Sequence, residues 1–282
     1  MLKIVNLNKQ YDKKLILKDV SFEINRGEIV TVLGENGAGK TTIIDCILKL
    51  VKPNSGNIFY DGININKIKN KNYFKNIGVL LESSSNVYDF LSGIQNIEYF
   101  CGLSNINLKN REKLDLYIHE FNMKDHMNKK VGAYSRGMQQ KLALIIALMM
   151  EPKILLLDEP TLGLDIRSKI LMIDVLKNIV SDQKIGILLT THQMDVVQKI
   201  GGKVLLLKNG KVEAFDTISS LAKNSDKYKI VYYDKNNNLI ELEEELNFNE
   251  IYRKYADYSI QEIKKVSVDI ERVVMEKLDE SV

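Results

Sequence analysis

A glycine-rich octapeptide near the start of the chain has the residue types and the spacing of a phosphate-binding loop. It matches the pattern G-x-x-x-x-G-K-[ST], between an apolar run that predicts a strand, Glu28–Leu33, and one that predicts a helix, Ile43–Leu50. The octapeptide consists of Gly34, Glu35, Asn36, Gly37, Ala38, Gly39, Lys40 and Thr41, with Thr42 directly after it. Its glycines allow a sharp turn in which successive N–H groups point inward, so we expect an anion-binding nest at the start of the helix.

Two side chains at the end of this loop could act on a bound phosphate. The ammonium group of Lys40 can reach β- and γ-phosphates as a point charge, and the hydroxyl of Thr41 can bind Mg²⁺. The alternative is a glycine-rich turn without a ligand. Because a strand and a helix flank the loop as the motif requires, we interpret it as a site for nucleotide phosphates.

A pair of carboxylates follows another apolar run further along the chain. Asp158 and Glu159 come directly after Ile154–Leu157, which predicts a buried strand. A carboxylate at the C-terminal end of that strand can meet the Mg²⁺ held by Thr41, and Glu159 can then polarise a water molecule. Such a pair is otherwise an ordinary loop pair, but the phosphate loop upstream favours the functional interpretation.

Length and composition indicate a folded protein with room for one large α/β domain and a small second one. The chain has 282 residues, 45% of them hydrophobic, and its net charge of +3 is too weakly basic to indicate nucleic-acid binding. The charge is unevenly spread, because residues 240–282 carry 12 acidic and 6 basic side chains. We therefore expect the acidic end to be a separate unit.

The cysteines and the apolar runs bear on the compartment. Cys46 and Cys101 stand far apart in a chain without a signal-peptide pattern, so we expect a reducing cytosolic environment and no disulfide. The longest unbroken apolar run, Leu142–Met150, has nine residues, whereas a membrane-spanning helix needs about 18 or more. The chain is therefore not expected to cross a membrane itself.

Strands and helices alternate along most of the chain, which predicts a mainly parallel sheet covered on both faces. Residues 3–7 and 15–24 alternate apolar and polar types and predict an antiparallel pair, and residues 83–150 show helical spacing that predicts a helical insertion. Further strands are predicted at Asn57–Tyr60, Ile77–Leu81 and Ile185–Thr190, with a hairpin of Val204–Leu207 and Lys211–Phe215. These elements supply the strand ends that the candidate residues follow.

Residues 219–282 predict a small α+β domain, distinct from residues 1–218. After a helix at Thr217–Lys223, the pattern is β-β-α-β-α. Its elements are predicted at Tyr228–Tyr233, Leu239–Leu242, Asn249–Tyr255 and Tyr258–Val266, with a last helix from Val268. We expect this unit to lie outside the catalytic sheet as an accessory domain.

The order of these motifs resembles that of the ATP-binding subunits of ABC transporters, over about residues 1–218. The pentapeptide 134–138, Tyr-Ser-Arg-Gly-Met, resembles the family signature LSGGQ, although Arg136 and Met138 depart from it, and residues 162–165, Leu-Gly-Leu-Asp, resemble the D-loop at the dimer seam. In that family the signature reaches the γ-phosphate of ATP bound by the other protomer. The resemblance thus implies nucleotide contacts in trans for Ser135, Arg136, Gly137 and Asp165.

Two further residues gain a role from the resemblance. Tyr11 resembles the aromatic residue that stacks on adenine, and the alternative is an ordinary tyrosine at a strand end. His192, after Thr190 and Thr191, resembles the switch histidine that contacts the γ-phosphate. The resemblance therefore implies that Glu159 and His192 are the catalytic residues.

One position departs from the family pattern in a way that affects the metal site. Where the family usually carries the glutamine of the Q-loop, this chain has Glu82 after Ile77–Leu81. A carboxylate oxygen can bind Mg²⁺ as an amide oxygen can, but it adds a charge beside Asp158 and Glu159. Glu82 is therefore either a metal ligand, with Thr41 and Asp158, or a solvated loop residue.

The resemblance implies a P-loop NTPase core with an antiparallel N-terminal β-subdomain, which binds ATP and Mg²⁺, hydrolyses ATP and dimerises head-to-tail, as a homodimer or with a related ATPase. The translocation path would belong to separate permease subunits, contacted near Glu82–Leu103, which would hold the chain at the cytoplasmic face of the cell membrane.

The signature form and the acidic tail favour an exporter of drugs, antimicrobial peptides or ions over an importer. The alternatives are a non-transport ABC ATPase acting on ribosomes or DNA, although nucleic acid is not an expected partner, and a regulatory module that binds ATP without hydrolysing it.

Overall fold

The computed structural model describes residues 1–82, 87–106, 108, 111–223, 227–234, 236–244 and 248–266. The chain divides into two compact units, Met1–Phe215 and Asp216–Val282. The structure thus places the boundary after Phe215, three residues before the boundary expected from the sequence, which follows residue 218. No helix in the described part of the chain combines the length and the apolar character that crossing a membrane requires.

The first unit combines two sheets with helices. Its strands are β1 (Leu2–Tyr11), β2 (Lys14–Ile24), β3 (Ile29–Leu33), β4 (Ser55–Tyr60), β5 (Ile63–Asn64), β6 (Ile77–Leu80), β7 (Ile154–Asp158), β8 (Gly186–Thr191), β9 (Lys203–Lys208) and β10 (Lys211–Thr217), whose last residues enter the second unit. Its helices are α1 (Lys40–Ile47), α2 (Asn70–Phe74), α3 (Gly93–Leu103), α4 (Glu112–Glu120), α5 (Arg136–Met149), α6 (Ile166–Gln183) and α7 (Met194–Ile200). The predicted strands and helices of this unit are thus present, whereas the sequence analysis missed α2, β5 and α7.

The larger sheet has the strand order β10-β9-β3-β8-β7-β6, and the pairs from β9 to β6 are parallel. Every residue of β3, β7 and β8 is buried. Along β7, Leu155 and Leu157 pack into one apolar cluster with the helices α5 and α6, whereas Ile154 and Leu156 pack into a second cluster with α1. These strands read as continuous apolar runs because both faces of the sheet are covered.

The smaller sheet of this unit is antiparallel, in the order β2-β1-β4-β5. It contains the predicted pair of N-terminal strands, and its apolar side chains belong to the same cluster as α1. The strand β1 ends at Tyr11, and β2 begins again at Lys14. This turn brings the end of β1 to the phosphate loop.

In the described part of the predicted range, the helical insertion is built from α3, α4 and α5, and residues 83–86, 107, 109 and 110 of that range lie outside the described residues. Ser92 and Gln95 form a reciprocal capping box at the start of α3. Leu114 and Phe121, in and just after α4, pack in the same cluster as Leu142 of α5. The insertion therefore shares its core with one face of the main sheet.

The second unit has its own small sheet. It contains α8 (Ile218–Lys223), β11 (Lys227–Tyr233), β12 (Leu239–Glu244), α9 (Phe248–Lys254) and β13 (Ser259–Val266), and the strands pair antiparallel in the order β12-β11-β13. Ile230, Ile251 and Tyr255 form the buried centre of this unit. The helix predicted from Val268 lies outside the described residues.

Both cysteines are buried free thiols. Burial raises the pKa of Cys46 and of Cys101 to about 11, so neither is a reactive thiolate near neutral pH. The structure thus contains no disulfide between Cys46 and Cys101, as expected from the sequence.

Candidate functional site

The phosphate loop connects β3 to α1, and its glycines meet two different demands. Gly37 and Gly39 have φ angles of 82° and 107°, which a residue with a side chain rarely adopts. A Cβ atom on Gly34 would lie 2.3 Å from the carbonyl oxygen of Leu207, so only glycine fits this close approach. Gly39 is also the N-cap of α1, and the helix therefore begins at Lys40, three residues before the predicted start.

The side chain of Lys40 bends back over the loop. Its ammonium donates hydrogen bonds to the carbonyl oxygens of Gly34 at 2.7 Å and Glu35 at 3.1 Å. Only 7% of Lys40 is exposed. The two carbonyl groups thus hold the ammonium over the loop, where a phosphate would bind.

Asp158 connects the phosphate loop to the neighbouring strands. It ends β7 and is 4% exposed, and one of its carboxylate oxygens accepts a hydrogen bond from the Thr41 hydroxyl at 3.0 Å. The other accepts a short hydrogen bond from the hydroxyl of Thr190, which lies opposite Asp158 on β8. The parallel sheet therefore joins Thr41 to a carboxylate that stands 117 positions later in the sequence.

Glu159 lies between a lysine and a histidine. One carboxylate oxygen, Oε1, is 2.9 Å from Nδ1 of His192 and 3.5 Å from Nζ of Lys40. The other, Oε2, is buried without a hydrogen-bond partner among the described residues. Among the described residues, one oxygen of the carboxylate is therefore held by two side chains, whereas the other makes no hydrogen bond.

The backbone holds Glu159 in an uncommon conformation. Its φ angle is 47°, in the left-handed region. Its N–H group donates to the carbonyl oxygen of Thr190 at 3.1 Å, which fixes the turn after β7 to the end of β8. Thr190 therefore positions both carboxylates, a role that the sequence analysis did not assign to it.

Lys40, Thr41 and Glu159 open onto a cleft of about 300 Å³, whereas Asp158, Thr190 and His192 are not among its lining residues. Its lining residues are Tyr11, Lys14, Ile16, Asn36, Gly37, Gly39, Lys40, Thr41, Thr42, Glu82 and Glu159. Lys14 and Ile16 were missed by the sequence analysis, and only their place near the start of β2 could have indicated them. The predicted metal ligand Glu82 is exposed and also lines the cleft. It follows β6, whereas the phosphate loop follows β3 and Glu159 follows β7.

Tyr11 forms the wall of the cleft at the end of β1. Its side chain is 42% exposed, and burial of the remainder raises the pKa of its hydroxyl above the usual value. The ring is therefore accessible to a flat ligand that also contacts the phosphate loop.

The residues of the predicted signature lie elsewhere on the surface. Ser135 is the N-cap of α5, and its side chain accepts a hydrogen bond from the N–H group of Met138 at 3.3 Å. A Cβ atom on Gly163 would lie 3.1 Å from the Arg136 guanidinium, which therefore covers that glycine. Gly137 lies close to Leu164, because a Cβ atom on Gly137 would be 3.2 Å from Cδ2 of Leu164.

The predicted D-loop residue Asp165 is the N-cap of α6. Its carboxylate accepts a hydrogen bond from the N–H group of Ser168 at 2.9 Å, and this bond holds the pKa of Asp165 below its usual value. Neither Asp165 nor Ser135 is among the residues that line the cleft. The structure thus brings the signature and the D-loop together, but it does not bring them to the phosphate loop of the same chain.

The donor groups at the cleft fit a nucleotide with Mg²⁺. Thr41 and Asp158 offer the hard oxygen ligands that Mg²⁺ prefers, and such sites need only one or two carboxylates because phosphates and waters complete the shell. No group of three or more His, Cys, Asp or Glu side chains arranged as a metal site occurs within the described ranges. An all-protein metal cage is therefore not part of the described structure, whereas a site shared with phosphate oxygens matches its donors.

Comparisons with known proteins agree with this geometry. The sequence profile of the family described as ABC transporter matches residues 17–162. The chain is 36% identical to the ABC transporter ATP-binding protein NatA of Bacillus subtilis over 226 residues. This matched segment covers 78% of this chain and 91% of NatA. It is 33% identical to the phosphonates import ATP-binding protein PhnC 2 of Oceanobacillus iheyensis, over 82% of this chain and 95% of that protein.

Solved structures show the same fold. An ATP-binding subunit of an ABC transporter matches with a TM-score of 0.71 and 26% identity, over 79% of this chain and 92% of that one. A dimeric structure of an ATP-binding cassette in a post-hydrolysis state, bound to ADP and Pi, matches with a TM-score of 0.68 and 26% identity, over 77% of this chain and 98% of that one. The P-loop NTPase fold predicted from the sequence is thereby confirmed, and the chain belongs to the ABC transporter family as an ATP-binding subunit and an ATPase.

Proposed function

We propose that this ATPase works as a head-to-tail dimer that powers transport through separate permease subunits, which hold it at the inner face of the cell membrane. The observation that carries the proposal is the division of the site between two surfaces. Lys40, Thr41 and Glu159 line the cleft and Asp158 accepts a hydrogen bond from Thr41, whereas neither Ser135 nor Asp165 is a lining residue. A second protomer placed head-to-tail supplies the missing half.

The residues at the cleft support hydrolysis of the terminal phosphate. Glu159 takes a proton from a water whose oxygen forms a bond to the terminal phosphorus, while the bond from that phosphorus to the bridging oxygen breaks and leaves ADP and inorganic phosphate. Lys40 balances the negative charge of the phosphates, and His192 orients the carboxylate through its 2.9 Å contact. Mg²⁺, bound by Thr41 and Asp158 with Glu82 as a further ligand, would neutralise phosphate charge.

The start of α5 is suited to receive the γ-phosphate of the partner's ATP. Ser135 is exposed, and its hydroxyl stands at a helix N-terminus, where the dipole favours an anion. The guanidinium of Arg136 adds a positive charge beside it. Since the Arg136 side chain packs on Gly163, the signature and the D-loop present one joint surface to the partner.

Replacing Ser135 with arginine should abolish ATP-dependent dimerisation and leave ATP binding by the monomer nearly unchanged. The larger side chain would occupy the space where the partner's phosphate docks. Light scattering after size-exclusion chromatography, with ATP in a Glu159→Gln background, measures the dimer. Ser104→Arg, the same change at the exposed C-cap of α3, is the matched control.

Loss of the Ser135 cap costs about 1 kcal/mol of stability, so thermal melting of each variant must show a folded protein. A folded Ser135→Arg protein that dimerises normally with ATP would refute the head-to-tail arrangement.

The direction of transport stays a prediction. The export direction was inferred from the signature and the acidic tail, whereas relatives matched by this chain include proteins named for phosphonates import and, at 29% identity, for spermidine/putrescine import. The names of the relatives thus do not favour export. The substrate class, drugs, antimicrobial peptides or ions, is a prediction of the same kind.

A tagged copy of the full chain, purified from membranes of its own cells, should bring a multispan membrane protein with it. Phosphate release by that complex in lipid vesicles should exceed release by the isolated chain, because a permease favours the closed dimer. Association with ribosomes or DNA in place of a membrane protein would support the non-transport alternative. Absence of phosphate release from both samples would support the regulatory module that only binds ATP.

Residues 219–282 are proposed to form an accessory domain outside the catalytic sheet. Three observations support this: the unit has its own antiparallel sheet, it has its own buried cluster around Ile230 and Ile251, and the matched solved structures cover less than four-fifths of the chain. The residues of the cleft all belong to the first unit. The accessory domain is therefore expected to modify dimerisation or regulation rather than the chemical step.

A further inference from the structure

A lysine covers one face of the tyrosine ring at the nucleotide cleft. Lys9 precedes Tyr11 by two positions on β1, so the two side chains point to the same face of the sheet. The ammonium of Lys9 lies 4.6 Å from the centre of the Tyr11 ring, within the range of a cation–π interaction. A ring in this arrangement has only its other face available to a ligand.

The position of the Lys9 ammonium is itself fixed. It donates a hydrogen bond to the backbone carbonyl oxygen of Lys52 at 3.0 Å, in the segment between α1 and β4. Lys9 is half-buried, so its stem packs against the protein while the charged end reaches the ring. The contact therefore ties the end of β1 to the segment that follows α1.

This contact bears on how a base stacks. A cation on one face draws electron density away from the other face, which then attracts an electron-rich base more strongly. It also restricts rotation of the ring, so less side-chain freedom is lost when a base binds. Thr42, next to the phosphate loop, lines the same cleft as the Tyr11 ring. One nucleotide could therefore stack its base on Tyr11 while its phosphates lie at Lys40.

We propose that Lys9 is a positioning residue for ATP: it holds the Tyr11 ring from behind and strengthens stacking of adenine on the open face. The proposal rests on the proposed function, because it requires ATP in the cleft. It also takes Tyr11 as the aromatic residue that stacks on adenine, as the family resemblance implies. It adds a residue that contacts no part of the nucleotide and acts only through the ring.

The test measures dissociation constants for two probes by titration calorimetry in EDTA, where hydrolysis does not occur. ATP has a base, and inorganic triphosphate has the phosphates alone. Lys9→Met should weaken ATP binding about threefold, because the stacked base loses the attraction that the cation adds to the open face of the ring, and should not change triphosphate binding. Lys9→Arg keeps a cation over the ring and should restore ATP binding. Lys3→Met removes the same charge from an exposed site on the same strand and is the matched control.

A second measurement separates this proposal from the role of Tyr11. Tyr11→Leu should weaken ATP binding roughly tenfold, and adding Lys9→Met to it should cause no further loss. With Mg²⁺ present, Lys9→Met should raise KM for ATP and leave kcat within about twofold.

Four outcomes would overturn the proposal. Equal weakening of ATP and triphosphate by Lys9→Met would show general charge attraction, and no weakening of ATP would show that the contact is without effect. A further loss in the Tyr11→Leu background would show that Lys9 acts independently of the ring. If Tyr11→Leu itself binds ATP normally, the assignment of Tyr11 fails first, and the Lys9 proposal fails with it.

Discussion

Replacing Glu159 with glutamine is expected to reduce ATP turnover by about 10²-fold or more while ATP binding is retained. An amide has nearly the same shape as the carboxylate and can keep the contact with His192, but it cannot take up a proton from water. Within the described residues, Oε2 of Glu159 makes no hydrogen bond, so replacing the carboxylate with an amide breaks none at that atom. Steady-state phosphate release measures turnover, and calorimetry measures ATP binding.

The same substitution should enrich the ATP-bound dimer, because in the proposed mechanism the dimer opens only after hydrolysis. Glu151→Gln, the same chemical change at a carboxylate that is 71% exposed, is the matched control and should hydrolyse ATP normally. Wild-type turnover by a folded Glu159→Gln protein would exclude Glu159 as the base.

Replacing Lys40 with methionine is expected to weaken ATP binding roughly 10- to 150-fold, as loss of a charged hydrogen bond worth about 1.5–3 kcal/mol implies. Methionine keeps much of the volume of the lysine stem and removes the ammonium, with its charge and its hydrogen bonds to the carbonyl oxygens of Gly34 and Glu35. Calorimetry with ATP measures the loss.

Stability needs a separate control, because the structure places Lys40 beside a buried carboxylate. Glu159 is 4% exposed, and removal of one partner from a buried ion pair destabilises a protein by as much as about 3–5 kcal/mol. Lys40→Met should therefore melt at a lower temperature than the native protein. The double variant Lys40→Met/Glu159→Gln also removes the buried negative charge that has lost its lysine, and should recover part of the melting temperature.

ATP binding in that double variant should stay weak, which separates the contact with phosphate from the contribution to folding. A folded double variant with native ATP affinity would show that the loop is not the phosphate site.

Local sequence patterns predicted most of the elements because the forces that form them act over short distances. The buried strands around Val32 and Leu156 appear as apolar runs, and the glycines of the phosphate loop appear as residues that alone fit the turn. The short helix α2 and the two-residue strand β5 gave no such pattern, and α7 was missed although Val196, Val197 and Ile200 have helical spacing. The first two misses reflect elements too short to show a period.

The sequence by itself determined the chemical types at the site: a loop for phosphate, a lysine, a hydroxyl, two carboxylates and a histidine, each after a predicted strand. The tertiary structure alone decided their partners, because a periodic pattern identifies a strand but not its neighbours in the sheet. The insertion of β8 between β3 and β7 brings Thr190 to Asp158 and His192 to Glu159. Pairing of Lys40 with Glu159, and of Lys9 with Tyr11 and the Lys52 carbonyl, likewise depends on contacts between segments distant in sequence or on side-chain positions that only packing fixes.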